Sequence, residues 1–313
     1  MSDMPEVVGG TVVSGLGALW LALALALGVY LVALIEEWSA TGRVRPSVPL
    51  LGGLATLARE SLVPRRPDRL LYEAAPPLLL VAALLAAAVL PLAPGLIVAD
   101  LATGALFVNA ALAFVLVAII MAGWGPDGAY AMVAGWRFLG QLVAYGMLIV
   151  MPLAAVAMRA ESLSTVAVVQ SQAALPNALA QPLGFVIFWF AALAICFLPP
   201  LDLPTAPGEL GGGVFGEYTG ARLAVMRLAR LVLVLTLAST IATFYLGGWL
   251  GPILPPWAWM AAKTLIVVAA FLIPGRFLPR LRGEHLLAWS WQLGIPLALV
   301  NILWVGVTLL LVK

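Results

Sequence analysis

Leu101-Ala102-Thr103-Gly104-Ala105-Leu106-Phe107-Val108-Asn109-Ala110-Ala111-Leu112-Ala113-Phe114-Val115-Leu116-Val117-Ala118-Ile119-Ile120-Met121-Ala122 runs without a single charged side chain. As a helix it meets the roughly 20 residues that the hydrocarbon core of a bilayer demands. It lacks the apolar–polar alternation of a barrel strand. In lipid every backbone N–H and C=O has to pair internally, and a helix does this within one segment. Working outward, the same kind of run recurs near 12–35, 74–93, 99–122, 136–158, 183–198, 222–246, 257–274 and 286–312. The 313-residue chain is 64% hydrophobic and 10% charged, where a soluble domain carries about 25% charge. Its mean hydropathy of +1.10 belongs to the whole chain and not to one anchor on a soluble body. The expected fold class is an all-α integral membrane protein of about eight transmembrane helices, forming one membrane domain over 1–313, with an added cytoplasmic amphipathic surface helix.

The cations set the expected orientation. Arg43, Arg45, Arg59, Arg65, Arg66 and Arg69 lie in the 36–73 connection. Arg137 begins the fourth run, Arg222, Arg227 and Arg230 open the sixth, and Arg276, Arg280 and Arg282 separate the last two. With eight crossings all of these fall on one side, and Arg159 and Lys313 on the other. The positive-inside rule then puts the basic side in the cytoplasm and both termini outside. Trp249 and Trp257 flank the loop 247–256 in the manner of an interfacial aromatic belt. The start, Met1 to Glu6, is acidic and has no basic n-region, so the first run is expected to stay in the mature protein. One cysteine, Cys196, and one histidine, His285, are too few for a zinc or haem site, and no metal is expected.

Two cytoplasmic connections are long for a compact bundle. In 36–73, Leu50, Leu51, Leu54, Leu57, Ala58 and Leu62 recur at helical spacing between Pro49 and Pro64. They read as a helix lying on the membrane surface, with a plain helical linker as the alternative. The 199–221 connection is rich in Pro and Gly and carries Asp202, Glu209 and Glu217. Those carboxylates read either as proton-handling groups facing a polar ligand head or as ordinary loop charges. Gly211 to Gly216 matches GxGxxG, but a dinucleotide site needs a strand before it and a helix after it within a βαβ unit. The glycines instead permit a tight non-helical loop. Lys263 lies two turns into the seventh run and is either functional within the membrane or reaching to an interface. Arg227 and Arg230 line a polar cavity or reach back to headgroups. Cys196 reads as a small buried apolar residue. No nucleophile–base pair, paired glycosidase carboxylates or P-loop stands out, so no catalytic residue is assigned.

The 199–231 segment adds a resemblance. Asp202-Leu203-Pro204, then Glu209-Leu210, then Glu217-Tyr218-Thr219-Gly220 resemble the F-D-L-P-E-A-E-x-E-L…E-Y-S-G signature of the NuoH family, the H-type membrane subunits of respiratory NADH–quinone oxidoreductase, complex I. Further stretches are similar in order. They are Arg59-Glu60 with Pro64, Asp68 and Ala75-Pro76; Gly123-Trp124 with Tyr130, Arg137, Gln141 and Tyr145; Phe244-Tyr245-Leu246-Gly247-Gly248-Trp249 with Lys263; and Arg276 through His285. The resemblance covers nearly the whole chain. It implies a membrane-arm component of an oxidoreductase and translocase of the respiratory chain, with no redox centre of its own. Such a component forms the quinone-access chamber, joins the peripheral and membrane arms and couples quinone reduction to proton translocation. Quinone is the implied substrate, iron–sulfur clusters sit in partner subunits, and this chain alone binds no cofactor. The implied partners are peripheral quinone-site and iron–sulfur subunits, antiporter-like membrane subunits and the lipid bilayer, with no nucleic acid. The implied location is a bacterial-type inner (cell) membrane. Asp202, Glu209, Glu217, Tyr218, Arg222 and Lys263 are the implied chamber and coupling residues. Arg276, Arg280, Arg282 and Glu60 are the implied partner-interface or headgroup residues.

The chain departs from that pattern chiefly by losing carboxylates. Gly146, Ile195, Thr205 and Pro207 stand where the family has Glu, and Leu198 where it has Arg. The resemblance therefore implies a divergent member with altered proton coupling. Two other readings stay open at the level of sequence. One is the membrane anchor of an energy-converting hydrogenase or formate-hydrogenlyase-like complex. The other is a standalone ion transporter, which would work without partners and would need the intramembrane carboxylates that are thinned here.

Overall fold

A computed structural model describes residues 15–206 and 208–312, with the backbone alone for 15, 16, 141–144 and 312. The helices in chain order are α1 Gly15–Thr41, α2 Ser47–Leu57, α3 Arg69–Ala88, α4 Gly104–Trp124, α5 Ala129–Ala160, α6 Thr165–Ser171, α7 Asn177–Ala180, α8 Pro182–Ile195, α9 Gly220–Tyr245, α10 Pro256–Leu272, α11 Pro274–Phe277, α12 Gly283–Trp289 and α13 Ile295–Val312. A π-helical stretch, Ser290–Gly294, joins α12 to α13. No strand occurs among the described residues, so the glycine-rich segment has none of the context a dinucleotide site requires. The Met1–Glu6, Pro207 and Lys313 readings lie outside the described residues, as does the side chain of Gln141.

Among the described residues, seven helical stretches are long and apolar enough to cross a membrane, and α8 is a shorter apolar helix. Contacts between loops sort both ends of the bundle. At one end, the basic end, Arg276 donates to Ser39 O at 2.6 Å, Arg222 pairs with Glu73, Arg137 with Glu209 and Arg280 with Asp202. At the far end, Ala105 N–H donates to Leu163 O at 2.9 Å, Thr165 Oγ1 to Val89 O at 2.9 Å and Asn177 Nδ2 to Phe244 O at 2.7 Å. Between Asn177 and Asp202 the chain therefore passes from the far end to the basic end, and α8 is that passage. Its 14 residues rise about 21 Å, and the turn after Ile195 supplies the remaining length. Among the described residues, seven passages are thus made by helices long enough to cross and an eighth by the shorter α8, where the sequence predicts about eight.

Lipid tails are as apolar as leucine, so close backbone approach and polar bonds hold such helices together more than burial does. A Cβ on Gly123 of α4 would lie 2.8 Å from Gly135 Cα of α5, a crossing that only small residues allow. Thr236 Oγ1 in α9 donates to Ala83 O in α3 at 3.3 Å. Asn301 of α13 accepts the Gly184 N–H at 3.1 Å and donates to Gln181 Oε1 at 3.2 Å, satisfying polar groups where α8 begins. Asp68, predicted within the connection, caps α3 by accepting from Leu70 N and Leu71 N.

A helix forms in this connection as α2, but it starts at Ser47, before Pro49, and ends at Leu57, so that Ala58 is its C-cap and Leu62 lies beyond it. A proline in the first turn gives up an N–H that has no partner there, so Pro49 does not mark the boundary. Leu50, Leu51, Leu54 and Leu57 are 54 to 62% exposed, whereas Thr56 is buried.

Candidate functional site

The basic end gathers most of the residues singled out from sequence. A cavity of about 310 Å³ lies between the C-terminal turns of α1, the end of α8, α9 and the α10–α11 junction. Leu198, Pro199 and Leu272 give it apolar walls, while Glu36, Arg230 and Arg276 give it charge. Arg230 Nη2 meets Glu36 Oε1 at 3.1 Å, both side chains being more than two-thirds buried. Arg276 is fixed by the Ser39 carbonyl and stands 6.0 Å over the Trp38 ring. One carboxylate oxygen of the neighbouring Glu37 is buried without a hydrogen-bond partner. The α8 end that walls the cavity is shaped by Phe197, whose φ of 55° reverses the chain. The packing there is close, since a Cβ on Gly275 would lie 3.0 Å from Pro199 Cβ.

The 199–219 loop runs away from this cavity. Asp202 is buried and forms an ion pair with Arg280, Oδ2 to Nη2 at 3.2 Å. Burial pushes its carboxyl above the ordinary carboxylate range, and Arg280 offsets part of that rise. Its charge also feels Arg230 across the cavity wall. Thr205, where the resemblance implies a carboxylate, donates its hydroxyl to Asp202 O at 3.1 Å. Glu209 is exposed and receives a bond from Arg137 Nη1 at 2.8 Å, which holds its carboxyl below the usual range. Asp202 and Glu209 are thus unequal, one buried with its carboxyl pKa raised, the other solvated with its carboxyl pKa lowered.

A second group lies where α3 and α9 begin. Arg222 grips Glu73 with two bonds, Nε to Oε2 at 2.8 Å and Nη2 to Oε1 at 2.6 Å. It also bonds Ser61 Oγ. Its guanidinium stands 5.3 Å over the Tyr72 ring, which stacks on Tyr218 at 4.5 Å. The buried Tyr218 hydroxyl donates to Tyr72 O at 3.4 Å, and burial raises its pKa. Glu217 turns its side chain over Gly128, where a Cβ would meet Oε1 at 2.5 Å. Glu73 and Ser61 were not singled out from sequence. The only local sign of Glu73 is a charge at the edge of an apolar run, four residues after Arg69. The paired glycines Gly211 and Gly212 adopt φ of 58° and 100°, the tight loop expected of them.

Lys263 does not join either group. Its ammonium donates to Leu246 O, Gly248 O and Leu250 O at 2.7, 2.9 and 2.7 Å. It thereby closes the C-terminus of α9 at the far end, away from Asp202 and Arg222. The physical reason is that the loop after α9 turns back toward α10 and brings three carbonyls to the ammonium. Arg282, Glu60 and His285 are exposed. Arg282 and Glu60 make no ion pair among the described residues. Arg227 bonds Thr56 Oγ1 at 3.0 Å and so holds α2. Cys196 is buried. Gly146 and Ile195 line a separate cavity of about 210 Å³ between α4, α5 and α8, in which Asn109 is the sole polar lining residue.

Comparison with known proteins gives a consistent result. A family model described as NADH dehydrogenase matches residues 40–306. The H-type component of the NADH-quinone oxidoreductase of Syntrophotalea carbinolica is 34% identical over 264 residues, which cover 82% of this chain and 80% of that protein. The second H-type component of the NADH-quinone oxidoreductase of Syntrophobacter fumaroxidans is 33% identical over 305 residues, covering 91% and 92%.

Proposed function

The chain belongs to the NADH dehydrogenase family, and we propose that it is the H-type membrane component of an NADH–quinone oxidoreductase. It contributes no redox centre; iron–sulfur clusters belong to partner subunits, and quinone is the substrate whose access this chain controls. The observation that carries this reading is the cavity at the basic end, apolar on one side and charged on the other. Leu198, Pro199 and Leu272 suit an isoprenoid tail, and Arg230 and Arg276 can donate to the carbonyl oxygens of a quinone head. Asp202 and its Arg280 partner lie just beyond and are the first candidates for moving a proton in step with reduction.

The basic end faces the cytoplasm in this proposal, because all but one of the arginines belong to it or its loops. There Arg276, Arg280, Arg282 and Glu60 meet peripheral subunits or headgroups, while antiporter-like subunits adjoin the membrane face. Coupling is altered relative to the family pattern, since Gly146 and Ile195 line an apolar cavity where the resemblance implies carboxylates. The hydrogenase-anchor and standalone-transporter readings gain no support from either relative. The test is mild-detergent capture of the chain from its native membrane with mass spectrometry of what co-migrates. Iron–sulfur and antiporter-like subunits are the expected partners. Recovery of the chain alone, with other respiratory complexes intact, overturns the reading.

A further inference from the structure

The 36–73 connection has a feature that lies outside the lining of the basic-end cavity. Arg43 and Arg45 precede α2, and Arg59, Arg65 and Arg66 follow it, all of them exposed. None of these five guanidinium groups forms an ion pair among the described residues, whereas Arg137, Arg222, Arg230 and Arg280 all do. Between the two basic groups, Leu50, Leu51, Leu54 and Leu57 point away from the bundle. Beyond the backbone of α2 itself, no atom lies within 4 Å of a Cβ built on Gly52 or Gly53.

The level of α2 matters as much as its composition. The Tyr30 hydroxyl donates to Pro46 O at 2.9 Å, although Tyr30 lies about 16 Å before the end of α1 at 1.5 Å per residue. At the other end of α2, Thr56 accepts from Arg227, which is about 10 Å into α9. The connection therefore folds back along the bundle, and α2 lies beside the helix ends, not beyond them. At that level its exposed leucines stand beside the ends of the apolar helices, with exposed arginines on either side of α2.

We propose that α2 and the arginines bracketing it form a binding site for anionic phospholipid. Acyl chains lie along the leucines, and the phosphates are taken by Arg43 and Arg45 at one end and Arg59, Arg65 and Arg66 at the other. A lipid, and not an acidic protein surface, is the occupant because leucines this exposed lie between the two groups of charge. Arginine brings a fixed charge and a fork that suits phosphate oxygens. Charge near a surface is worth enough to set lipid preference at on the order of fivefold per arginine.

The experiment uses the complex assembled with this chain, in nanodiscs of phosphatidylcholine containing phosphatidylglycerol. Leu54→Cys carries a polarity-sensitive dye, the native Cys196 being buried. Either the phosphatidylglycerol or the phosphatidylcholine is brominated on its acyl chains to quench the dye. The expected result is stronger quenching by brominated phosphatidylglycerol than by an equal mole fraction of brominated phosphatidylcholine. Replacing the five arginines by glutamine removes the preference, and replacing them by lysine retains most of it, which separates loss of charge from misfolding. Equal quenching by the two lipids with the arginines intact, or a preference that survives the glutamine variant, overturns the proposal. Absence of quenching by both lipids overturns it too, because α2 is then covered by protein.

Discussion

Arg222 and Glu73 are 149 residues apart in sequence and meet in a two-pronged ion pair at the basic end, with N–O distances of 2.8 and 2.6 Å. The pair joins the first turn of α9 to the first turns of α3, and Ser61 ties the preceding connection to the same guanidinium. The carboxylate is half exposed, so solvent screening limits the gain. A double-mutant cycle with Arg222→Gln and Glu73→Gln is expected to give a coupling of about 0.5–1 kcal/mol in detergent unfolding. Arg222→Lys should lose most of it, because an ammonium cannot make both bonds at once. A coupling of zero means the contact is incidental.

Asp202 is the buried carboxylate of the loop and Arg280 its partner. Because its folded pKa is raised by burial, its stabilising contribution is complete below the unfolded value, near 3.9. It is lost as the pH climbs through the raised folded value. Asp202→Asn should flatten the dependence of the thermal midpoint on pH across that acidic window. Arg280→Gln should shift the loss upward and enlarge it, since the opposing charge is gone. Glu209, exposed and depressed, has the opposite sign: its contribution appears above the ordinary carboxylate value and falls away as pH drops through the lowered one. Quinone-linked turnover is expected to fall with Asp202→Asn and much less with Glu209→Gln; equal effects would show that burial does not select the coupling group.

Much of this architecture is legible in the sequence, for a physical reason. Lipid admits a backbone only as helix or closed barrel, so each apolar run fixes its own conformation, and the arginines fix which ends lie together. Even α8, only 14 residues long, is readable because the cations on either side fail to segregate without it. Lys263 was not readable: two fates are open to an intramembrane ammonium, and the structure supplies a third in the carbonyls of Leu246, Gly248 and Leu250. Glu73 was invisible because its meaning resides in Arg222. The cavity beside Glu36 and Arg230 was likewise out of reach, since α1, α9 and α10 contribute to it from distant parts of the chain.

The cavity proposal can be tested by obstruction. Ala40 lines its mouth, and Ala40→Phe places a ring there without touching an ion pair. The KM for long-tailed quinone is expected to rise several-fold, with kcat close to wild type, and short-tailed quinone to be affected less. An identical change for both quinones argues that the tail does not pass this way.

Lys263→Met separates scaffold from site. Three carbonyls lose a charged donor, and hydrogen bonds to charged groups contribute about 1.5–3 kcal/mol each in favourable settings. A destabilisation of roughly 2 kcal/mol or more is therefore expected, read as a lower midpoint of thermal unfolding of the assembled complex. Quinone KM in the surviving fraction should be unchanged, because the lysine is at the far end. A KM effect without loss of stability would return Lys263 to the chamber.

Gly146 gives the last prediction. It lies in the middle of α5 and lines the apolar cavity with Leu112, Ile149 and Ile195. Beyond its own helix, no described atom lies within 4 Å of a Cβ built there, so neighbouring helices leave room for a methyl. A mid-helix glycine costs about 0.5–1 kcal/mol relative to alanine. Gly146→Ala should accordingly raise the thermal midpoint of the complex and leave quinone turnover unchanged. The pair Gly146→Ala and Gly146→Leu then measures how much room the vacated position holds. A further gain with leucine means the cavity is empty space within this chain, since filling it adds contacts. Loss of assembly with leucine but not alanine means a neighbouring protein of the complex already occupies the mouth between α4 and α5. The side chain missing at 146 would then have been replaced by one from the partner.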